Sequence, residues 1–343
     1  MKRQLIHSFK DIISIDNLLN SWQEFVKGKR LKSDVLLFQN NLVDNILTLH
    51  QDLSHFNYQH GSYQSFNISD PKPRIIHKAT VRDRLVHRAI YRQLYLFFDR
   101  TFIADSYSCR LNKGTHKALD QFRNFANKVS QNNTRTCWVL QCDIKKFFAS
   151  IDHQILLDIL ARYIPDQNIL KLLKEVITSF NTQPGIGLPL GNLTSQLFAN
   201  VYLNEFDHFA KHKLKAQFYI RYADDFVILS NNKLWLNQII PYIRRFLQSE
   251  LKLTLHPNKV TIRTLASGID FLGYATLPHY RILRTKTKKR MLRRVNQENI
   301  ESYRGLLKHC DGHKLMQGLD SQIDSPSLRL RRSKAGMTKS VVF

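Results

Sequence analysis

The segment Gln217–Leu229, QFYIRYADDFVIL, decides how the rest of the chain is interpreted. It holds two runs rich in β-branched and aromatic residues, Gln217–Tyr222 and Phe226–Leu229, which only Ala223-Asp224-Asp225 separate. Such runs predict a β-hairpin with two carboxylates at its tip. Aspartate is also common in ordinary turns, and the dipeptide taken alone favours that plain interpretation. Its meaning therefore depends on what the remainder of the sequence places beside it.

A third carboxylate stands at the end of another predicted strand, Cys137–Asp143. If that strand lies beside the hairpin in one sheet, Asp143 and the Asp224-Asp225 pair converge. Carboxylate oxygens are the protein ligands that Mg²⁺ and Mn²⁺ prefer, together with substrate phosphates. Two such ions roughly 3.5–4 Å apart stabilise the attacking and the leaving oxygen of a phosphoryl transfer. The sequence therefore favours a site for two Mg²⁺ or Mn²⁺ ions.

The charge of the chain indicates a polyanionic partner. Its 343 residues carry a formal charge of +25, from 52 Lys and Arg against 27 Asp and Glu, and 43% of them are hydrophobic. That hydrophobic content excludes a largely disordered protein. Nucleic acid is favoured over an anionic membrane surface, because the basic runs recur along the chain instead of sharing one amphipathic helix. These runs are Lys27–Lys32, Lys72–Arg92, Lys286–Arg294 and Arg329–Lys334.

The sequence contains no sign of a membrane or secretory protein. No apolar run approaches the roughly 20 residues that a transmembrane helix needs, and the N-terminus has no apolar signal core. The four cysteines show neither the density of a disulfide framework nor paired metal-ligand spacing. We therefore expect a reduced cytoplasmic protein without a membrane partner.

Four segments together resemble the bacterial reverse transcriptase family. Tyr222–Asp225 (YADD) resembles the YxDD signature of that family, and Asp143–Asp152 (DIKKFFASID) resembles its first palm motif. Leu188–Gln196 (LPLGNLTSQ) resembles the segment beneath the templating base pair, and Phe271–Tyr274 (FLGY) resembles the primer grip. The four occur in the order of the family, which is hard to obtain by chance.

The resemblance implies an α+β right-hand polymerase fold with fingers, a palm of antiparallel sheet plus helices, and a helical thumb. Sequence patterns supply matching elements, including short strands over Tyr63–Ile68 and Arg74–His77 and a basic helical stretch over 286–318. The predicted parts are an N-terminal helical extension (1–60), fingers (61–135), a palm interleaved with fingers elements (136–280), a helical basic thumb (281–320) and a mobile basic tail (321–343).

The resemblance also implies the catalytic roles. Asp143 and Asp224 are expected to bind both metals, with Asp225 as a supporting ligand and Ile144 contributing its backbone carbonyl. The primer 3′-hydroxyl then attacks the α-phosphate of a deoxynucleoside triphosphate, and pyrophosphate leaves. Lys259 falls near the position of a lysine that protonates pyrophosphate in related polymerases, although an ordinary surface lysine is the alternative.

Nucleotide contacts are expected on two sides of this centre. Lys72 and Arg74 are expected to hold the triphosphate, unless they form only a solvated charged turn. Phe148 lies where the family has the aromatic side chain that sterically excludes ribonucleotides, so the resemblance implies that role for it. Because adjacent residues of a strand face opposite ways, Phe147 is then expected in the core. Leu190 and Gly191 are expected beside the nascent base pair. Template or primer contacts are expected at Arg82, Arg84, Arg88, Ser195, Gln196, Tyr222, Phe271, Leu272, Gly273 and Tyr274, with helix capping an equal alternative for Ser195 and Gln196.

Two residues that differ from the general family pattern indicate which subgroup of the family the chain resembles. Leu190 stands where most of the family has Gln, and Gln196 where most has Pro, a form similar to diversity-generating retroelement reverse transcriptases. Those enzymes copy a template RNA into cDNA with frequent errors at adenines, and they work with a small basic accessory protein. Such a protein, or a second reverse transcriptase, is the expected partner besides the RNA template, nascent DNA and deoxynucleoside triphosphates.

Three alternative functions stay open: an anti-phage defence reverse transcriptase copying a non-coding RNA, a group II intron maturase, and a catalytically silent RNA-binding scaffold. The stretch after Tyr274 is expected to suffice for a thumb but not for the added domains of a maturase.

Overall fold

Runs of helices are combined with antiparallel strand pairs, which confirms the predicted α+β class. The structure is a computed structural model that describes residues 4–69 and 73–323. Lys72 and residues 324–343 of the predicted tail therefore lie outside the described residues, whereas Gln322 and its neighbours end the last helix. None of the helices in the described part of the chain combines the length and the apolar character that crossing a bilayer requires.

The elements follow the order expected from the sequence patterns. The helices are, in chain order, α1 (Phe9–Ile13), α2 (Ile15–Phe25), α3 (Ser33–Asn40), α4 (Leu42–Ser54), α5 (Val81–Asp99), α6 (Thr115–Ser130), α7 (His153–Ala161), α8 (Gln167–Thr178), α9 (Leu193–His208), α10 (Lys233–Leu251), α11 (Thr285–Arg294), α12 (Ile300–Leu307) and α13 (His313–Ile323). The strands are β1 (Gln64–Ile68), β2 (Arg74–Lys78), β3 (Trp138–Asp143), β4 (Tyr219–Tyr222), β5 (Asp225–Ser230), β6 (Thr261–Thr264), β7 (Ile269–Phe271), β8 (Tyr274–Thr276) and β9 (Arg281–Leu283). A π-helical turn, Phe209–Lys213, continues α9.

The chain folds into two compact units. The first comprises the residues up to Gly114 together with 141–228 and 234–260. The second comprises 115–140, 229–233 and the described residues from Thr261 onward, so strand β3 passes from the second unit into the first. The division into fingers, palm, thumb and tail at the boundaries given above stays a prediction.

The helical core of the first unit is built around α5 and α9. Helix α9 is buried around most of its circumference, and α5 packs against it and against α2. A helix that is covered on every side belongs to a protein core. The side chain of Thr80 caps α5 by accepting the N–H of Asp83, and Asp152 caps α7, as predicted, by accepting the N–H of Ile155 at 3.0 Å.

The sheet of the first unit places β5 between β4 and β3. Strands β4 and β5 form an antiparallel hairpin in which Tyr222 lies opposite Asp225. Phe226, Val227 and Ile228 are all buried, which is typical of a strand covered on both faces. The polar tip of the hairpin therefore lies at the edge of an apolar sheet, next to a strand that ends in Asp143.

The second unit contains α6, the antiparallel strands β7, β8 and β9, and α11 to α13. The helical stretch predicted over 286–318 is divided into three helices. At the first break the Asn296 side chain accepts the N–H groups of Glu298 and Asn299 at 3.1 and 3.0 Å. This local turn competes with helical hydrogen bonding and separates α11 from α12.

Candidate active site

The hairpin tip is a two-residue turn whose backbone geometry aims the carboxylates. Because Tyr222 pairs with Asp225, only Ala223 and Asp224 form the turn. Ala223 has φ +54°, in the left-handed region that costs a residue with a side chain about 1–2 kcal/mol. A positive φ at the first turn residue matches the twist of the flanking strands, so the sheet maintains this conformation.

The structure brings Asp143 to this tip. The N–H of Ile144 donates to the carbonyl of Asp224 at 3.2 Å, which ties the end of β3 to the turn. On the other side, the carbonyl of Asp143 accepts the N–H of His256 at 2.7 Å, and the N–H of Lys145 donates to Thr254 at 2.9 Å. The end of β3 is therefore held between the hairpin turn and the segment 254–256. The carboxyl group of Asp143 also interacts with that of Asp225.

Burial, together with the crowding of three acids, raises the pKa values of Asp224 and Asp225 at the hairpin tip. Burial, followed by the Asp143 charge, raises the pKa of Asp224, while the charges of Lys259 and Arg74 oppose the shift. Burial, the hydrogen bond to Asp143 and the Asp224 charge raise the pKa of Asp225 to about 7. Low dielectric and like charge both disfavour ionised carboxylates. A divalent cation relieves both penalties, so the electrostatics fit a cation site.

The donor set also fits Mg²⁺ or Mn²⁺, although it is not a closed cage. Within residues 4–69 and 73–323, no three Asp, Glu, His or Cys side chains already surround a single metal position. The Nζ of Lys259 lies 2.7 Å from Oδ2 of Asp143 and engages that oxygen. Mg²⁺ in phosphoryl-transfer sites takes only one or two carboxylates and completes its shell with water and substrate phosphates. An open site of half-buried carboxylates has this character.

Lys259 is fixed at the site rather than lying on an unrelated surface. It ends a short 3₁₀ turn, Pro257–Lys259, that follows directly on the segment bonded to Asp143. The N–H of Lys259 donates to the carbonyl of His256 at 3.1 Å, which holds the turn. Its ammonium group is a proton donor next to the carboxylates, and its role as general acid stays a prediction.

On the predicted nucleotide side, the β1–β2 hairpin is docked on the loop that follows Leu188. The N–H of His77 in β2 donates to the carbonyl of Leu190 at 2.9 Å. Gly191 has φ +113°, and a Cβ there would lie 2.7 Å from Cγ2 of Ile76. The close approach therefore requires glycine. Arg74, exposed at the start of β2, acts electrostatically on Asp224, whereas Lys72 lies outside the described residues.

The two phenylalanines after Asp143 differ in exposure, as expected, but for a different reason. Phe147 is 2% exposed, whereas Phe148 is half-buried, with the ring centroids 5.4 Å apart. The segment is not a strand: after Lys146, at φ +48°, it forms a 3₁₀ turn over Phe147–Ser150. The alternation argument was therefore wrong. The turn itself directs one ring into the core and leaves the other partly accessible.

Three arginines predicted to contact template have other partners. Arg82, Arg84 and Arg88 on α5 form ion pairs with Asp52, Asp34 and Glu24 of the N-terminal helices, respectively. Each guanidinium is at most about a third exposed, so these charges join α5 to the preceding helices. Asp34 is shared with Lys78 and Glu24 with Arg92, so surplus positive charge remains on α5, and template contact by these arginines stays a prediction.

Of the other residues predicted to contact the template, some are buried and others are partly exposed. Ser195 is 3% exposed in α9, so its hydroxyl is not presented to a template, whereas Gln196 is half-buried. The α9 N-cap is Asn192, so neither Ser195 nor Gln196 caps the helix. Tyr222 is half-buried immediately before the turn.

The predicted primer-grip segment forms the β7–β8 hairpin of the second unit. Phe271 pairs with Tyr274, and Leu272 and Gly273 form the turn with φ of +51° and +91°. Phe271 and Tyr274 are buried at 4% and 2% exposure, and the Tyr274 hydroxyl donates to the carbonyl of Leu306 at 2.9 Å. The two aromatic side chains therefore belong to the core of this unit, and only the turn is accessible to a primer.

Sequence reasoning did not single out Arg221. It is fully buried in β4 and its guanidinium donates to Asp207 and to the carbonyl of Ala223 in the tip turn. The available signal was an arginine within an otherwise apolar strand segment, since arginine is rarely buried without a partner.

The family of the chain follows from comparison with known proteins. Residues 68–276, more than half of the chain and including all three aspartates, match the family described as "Reverse transcriptase (RNA-dependent DNA polymerase)". The chain belongs to the reverse transcriptase family. The matched residues form the domain of an RNA-directed DNA polymerase, which confirms the enzyme class predicted from the motifs.

Relatives of this reverse transcriptase include bacterial and group II intron proteins. Protein YkfC of Escherichia coli (strain K12) is 25% identical over an alignment 276 residues long, and the match covers 68% of this chain and 70% of YkfC. The group II intron-encoded protein LtrA of Lactococcus lactis subsp. cremoris is 23% identical over an alignment 279 residues long, and the match covers 62% of this chain and 45% of LtrA. The chain thus spans less than half the length of LtrA.

A solved structure supports the predicted polymerase fold. The apo telomerase from Candida tropicalis, truncated from its C-terminal domain, matches with a TM-score of 0.51 at 13% sequence identity. The match covers 71% of this chain and 60% of that chain. At this identity the likeness concerns the fold alone.

Proposed function

We propose that this reverse transcriptase copies an RNA template into DNA by nucleotidyl transfer with two divalent metal ions at Asp143, Asp224 and Asp225. The observation that carries the proposal is the convergence of these carboxylates. The N–H of Ile144, next to Asp143, is bonded to the Asp224 carbonyl, and the carboxyl group of Asp143 interacts with that of Asp225. A plain hairpin turn would not need a third acid fixed against it by a backbone hydrogen bond and a contact between side chains.

The residues of the chain divide the work at this centre. Asp143 and Asp224 would hold both ions and Asp225 would support them, while the Ile144 carbonyl is an additional donor. Segment 254–256 is hydrogen-bonded to the carbonyl of Asp143 and to the N–H of Lys145. The carbonyl of Ile144 takes no part in these two bonds. When bound, two Mg²⁺ or Mn²⁺ ions supply Lewis acidity that activates the primer 3′-hydroxyl and stabilises the leaving pyrophosphate.

Positioning and charge supply the rest of the catalysis. The ammonium group of Lys259 holds a proton beside the carboxylates and is proposed to deliver it to the departing pyrophosphate. Arg74, with Lys72, is proposed to hold the triphosphate, which the electrostatic influence of Arg74 on Asp224 supports. Phe148, half-buried after the 3₁₀ turn begins, is proposed to exclude the ribose 2′-hydroxyl and so select deoxynucleotides.

The basic surface of α11 supports a nucleic-acid partner. This helix buries Met291 and exposes a set of cationic side chains, namely Lys286, Lys288, Lys289, Arg293 and Arg294. Clustered positive charge binds nucleic-acid phosphates regardless of sequence, with an affinity that falls as salt rises. RNA template and nascent DNA are therefore the proposed ligands of this face.

We also propose that synthesis is error-prone, as the resemblance to diversity-generating retroelement enzymes implies, with a small basic accessory protein or a second reverse transcriptase as partner. Leu190 supports this proposal. Its carbonyl is fixed by His77, and its half-buried side chain is apolar where most of the family has an amide. Loss of one polar contact at the nascent pair reduces the free-energy difference between a match and a mismatch.

Primer extension on an RNA template tests the polymerase proposal. Asp224→Asn removes a metal ligand but leaves the basic surface, so we expect extension to stop while template binding is retained. Asp158→Asn makes the same chemical change on the exposed face of α7 and is the matched control. Parental extension by Asp224→Asn, with deoxynucleotides and Mg²⁺, would contradict the assignment.

A further inference from the structure

A buried ion pair lies directly behind the catalytic hairpin. Arg221 of β4 and Asp207 of α9 both have fully buried side chains. Nε of Arg221 donates to Oδ1 of Asp207 at 2.7 Å, and Nη2 donates to Oδ2 at 2.7 Å. This is the two-bond arrangement of a guanidinium on a carboxylate, and it fixes the plane of the arginine group.

The third nitrogen of the same guanidinium reaches the turn. Nη1 of Arg221 donates to the carbonyl of Ala223 at 3.2 Å and to Oδ1 of Asn200 at 3.1 Å. The Ala223 carbonyl belongs to the peptide group that joins Ala223 to Asp224. A rigid side chain anchored on α9 is therefore bonded to the backbone immediately before a catalytic carboxylate.

The strand around Arg221 is also anchored from a second direction. The N–H of Arg221 donates to the carbonyl of Asp105 at 3.0 Å, and the carbonyl of Arg221 accepts the N–H of Tyr107 at 3.0 Å. Asn200, which receives the Nη1 bond, donates to the carbonyl of Ser108 at 2.9 Å. The base of the hairpin thus has little freedom, and Arg221 donates the hydrogen bond to the Ala223 carbonyl within the turn.

Stability alone does not explain why this pair is present. Transferring two charges from water to a protein interior costs free energy. Substituting apolar residues of similar volume for a buried ion pair often causes no loss of stability. An apolar residue at 221 would, however, leave the Ala223 carbonyl without this donor. The turn carries positive φ at Ala223, so it is a place where lost support changes the conformation.

We propose that Arg221 is a positioning residue for catalysis: held by Asp207, its guanidinium fixes the Ala223 carbonyl and so aims Asp224 at the metal site. The proposal rests on the proposed function and deepens it. Arg221 acts through the turn and touches neither substrate nor metal. Asp207 and Asn200 set the position of the guanidinium, and Asp224 is the group that Arg221 orients.

The decisive variant is Arg221→Lys. Lysine keeps a positive charge beside Asp207 but lacks the planar fork, so it does not hold both carboxylate oxygens and the turn together. Misplacement of a catalytic group by about 1 Å costs on the order of 100-fold in rate. We expect kcat for primer extension to fall about 10- to 100-fold and the Mg²⁺ concentration for half-maximal activity to rise severalfold, with parental affinity for template–primer.

Tyr219→Phe is the matched control in the same buried network. The Tyr219 hydroxyl donates to Oδ1 of Asp207 at 2.6 Å, so its removal perturbs the ion pair without touching the turn. We expect a lower melting temperature but parental kcat and Mg²⁺ dependence. If Arg221→Lys does not fold, Asn200→Ala replaces it. That variant removes one acceptor of Nη1, and we expect a smaller loss of kcat with the same shift in Mg²⁺ dependence.

The outcomes separate this proposal from the proposed function. If Arg221→Lys, or Asn200→Ala in its place, retains parental kcat and Mg²⁺ dependence, Arg221 has only a structural role and the inference is overturned. If Tyr219→Phe shifts the Mg²⁺ dependence as strongly, the effect comes from general loosening and the inference also fails. The proposed function is judged separately by Asp224→Asn against Asp158→Asn, whatever Arg221→Lys does.

Discussion

Replacing Gly191 with alanine should weaken nucleotide binding by disturbing the contact between the β1–β2 hairpin and its supporting loop. A methyl group at position 191 meets Cγ2 of Ile76 at 2.7 Å, and the residue has φ +113°. Backbone strain of this kind costs about 1–3 kcal/mol. Steric overlap in a packed contact adds about 1–3 kcal/mol. Movement of the hairpin away from Leu190 relieves the overlap, and Arg74 moves with the hairpin.

Gly114 supplies a control that separates the free-energy cost of backbone strain from that of steric overlap. It has φ +114° but no neighbouring atom within 4 Å of the Cβ position. Gly114→Ala therefore carries the strain without the overlap. We expect Gly191→Ala to be less stable than Gly114→Ala by about 1–3 kcal/mol, the overlap contribution. Each ~1.4 kcal/mol needed to restore the docked hairpin raises the KM for deoxynucleotide about tenfold.

The assay is steady-state primer extension at varied deoxynucleotide concentration, together with urea unfolding of each variant. Adding Ile76→Ala to Gly191→Ala removes the clashing Cγ2 atom and should recover most of the KM change, although not the strain at position 191. Equal stability of Gly191→Ala and Gly114→Ala, with parental KM in both, would refute the docking argument.

Three further predictions concern single side chains. Phe148→Ala should admit ribonucleotides because the ring no longer blocks the 2′-hydroxyl; unchanged discrimination in a competition assay would assign Phe148 to the core. Leu190→Gln should lower misincorporation opposite template adenine, and equal error frequencies in sequenced products would remove the fidelity argument. Burial lowers the pKa of His87 from 6.5 to about 3, so below pH 6.5 the unfolded chain binds a proton that the native chain does not. Stability should therefore fall by about 2 kcal/mol between roughly pH 7 and 5 from this group, and His87→Leu should flatten that dependence in urea titrations; an unchanged slope would contradict it.

Local patterns predicted the parts of the site that depend on neighbouring residues. The hairpin around Asp224 follows from two apolar runs with a short polar interruption, and the structure pairs Tyr222 with Asp225 across it. The same reasoning gave the β1–β2 hairpin and the Asp152 cap of α7. These features are set by hydrogen bonds and side-chain periodicity within a few residues, which a sequence displays directly.

Partners that are distant in the chain were not predictable from such patterns. Arg82 pairs with Asp52 and Arg221 pairs with Asp207; the apolar strand around Arg221 indicates burial, but the sequence identifies the partner of neither arginine. The difference in exposure between Phe147 and Phe148 arises from a 3₁₀ turn and not from a strand, because the left-handed residue Lys146 starts a turn that propensity does not reveal. Tertiary contacts and unusual backbone angles, rather than composition, decide these positions.

The most direct measurement counts bound metal in the assembled site. The chain is mixed with an RNA template, a chain-terminated DNA primer and the matching deoxynucleotide, and Mn²⁺ binding is followed by electron paramagnetic resonance. Our account predicts two tightly bound Mn²⁺ ions for the parent and for Asp158→Asn, and loss of at least one in Asp224→Asn. Equal Mn²⁺ binding by all three proteins would contradict the claim that Asp143, Asp224 and Asp225 form one metal centre.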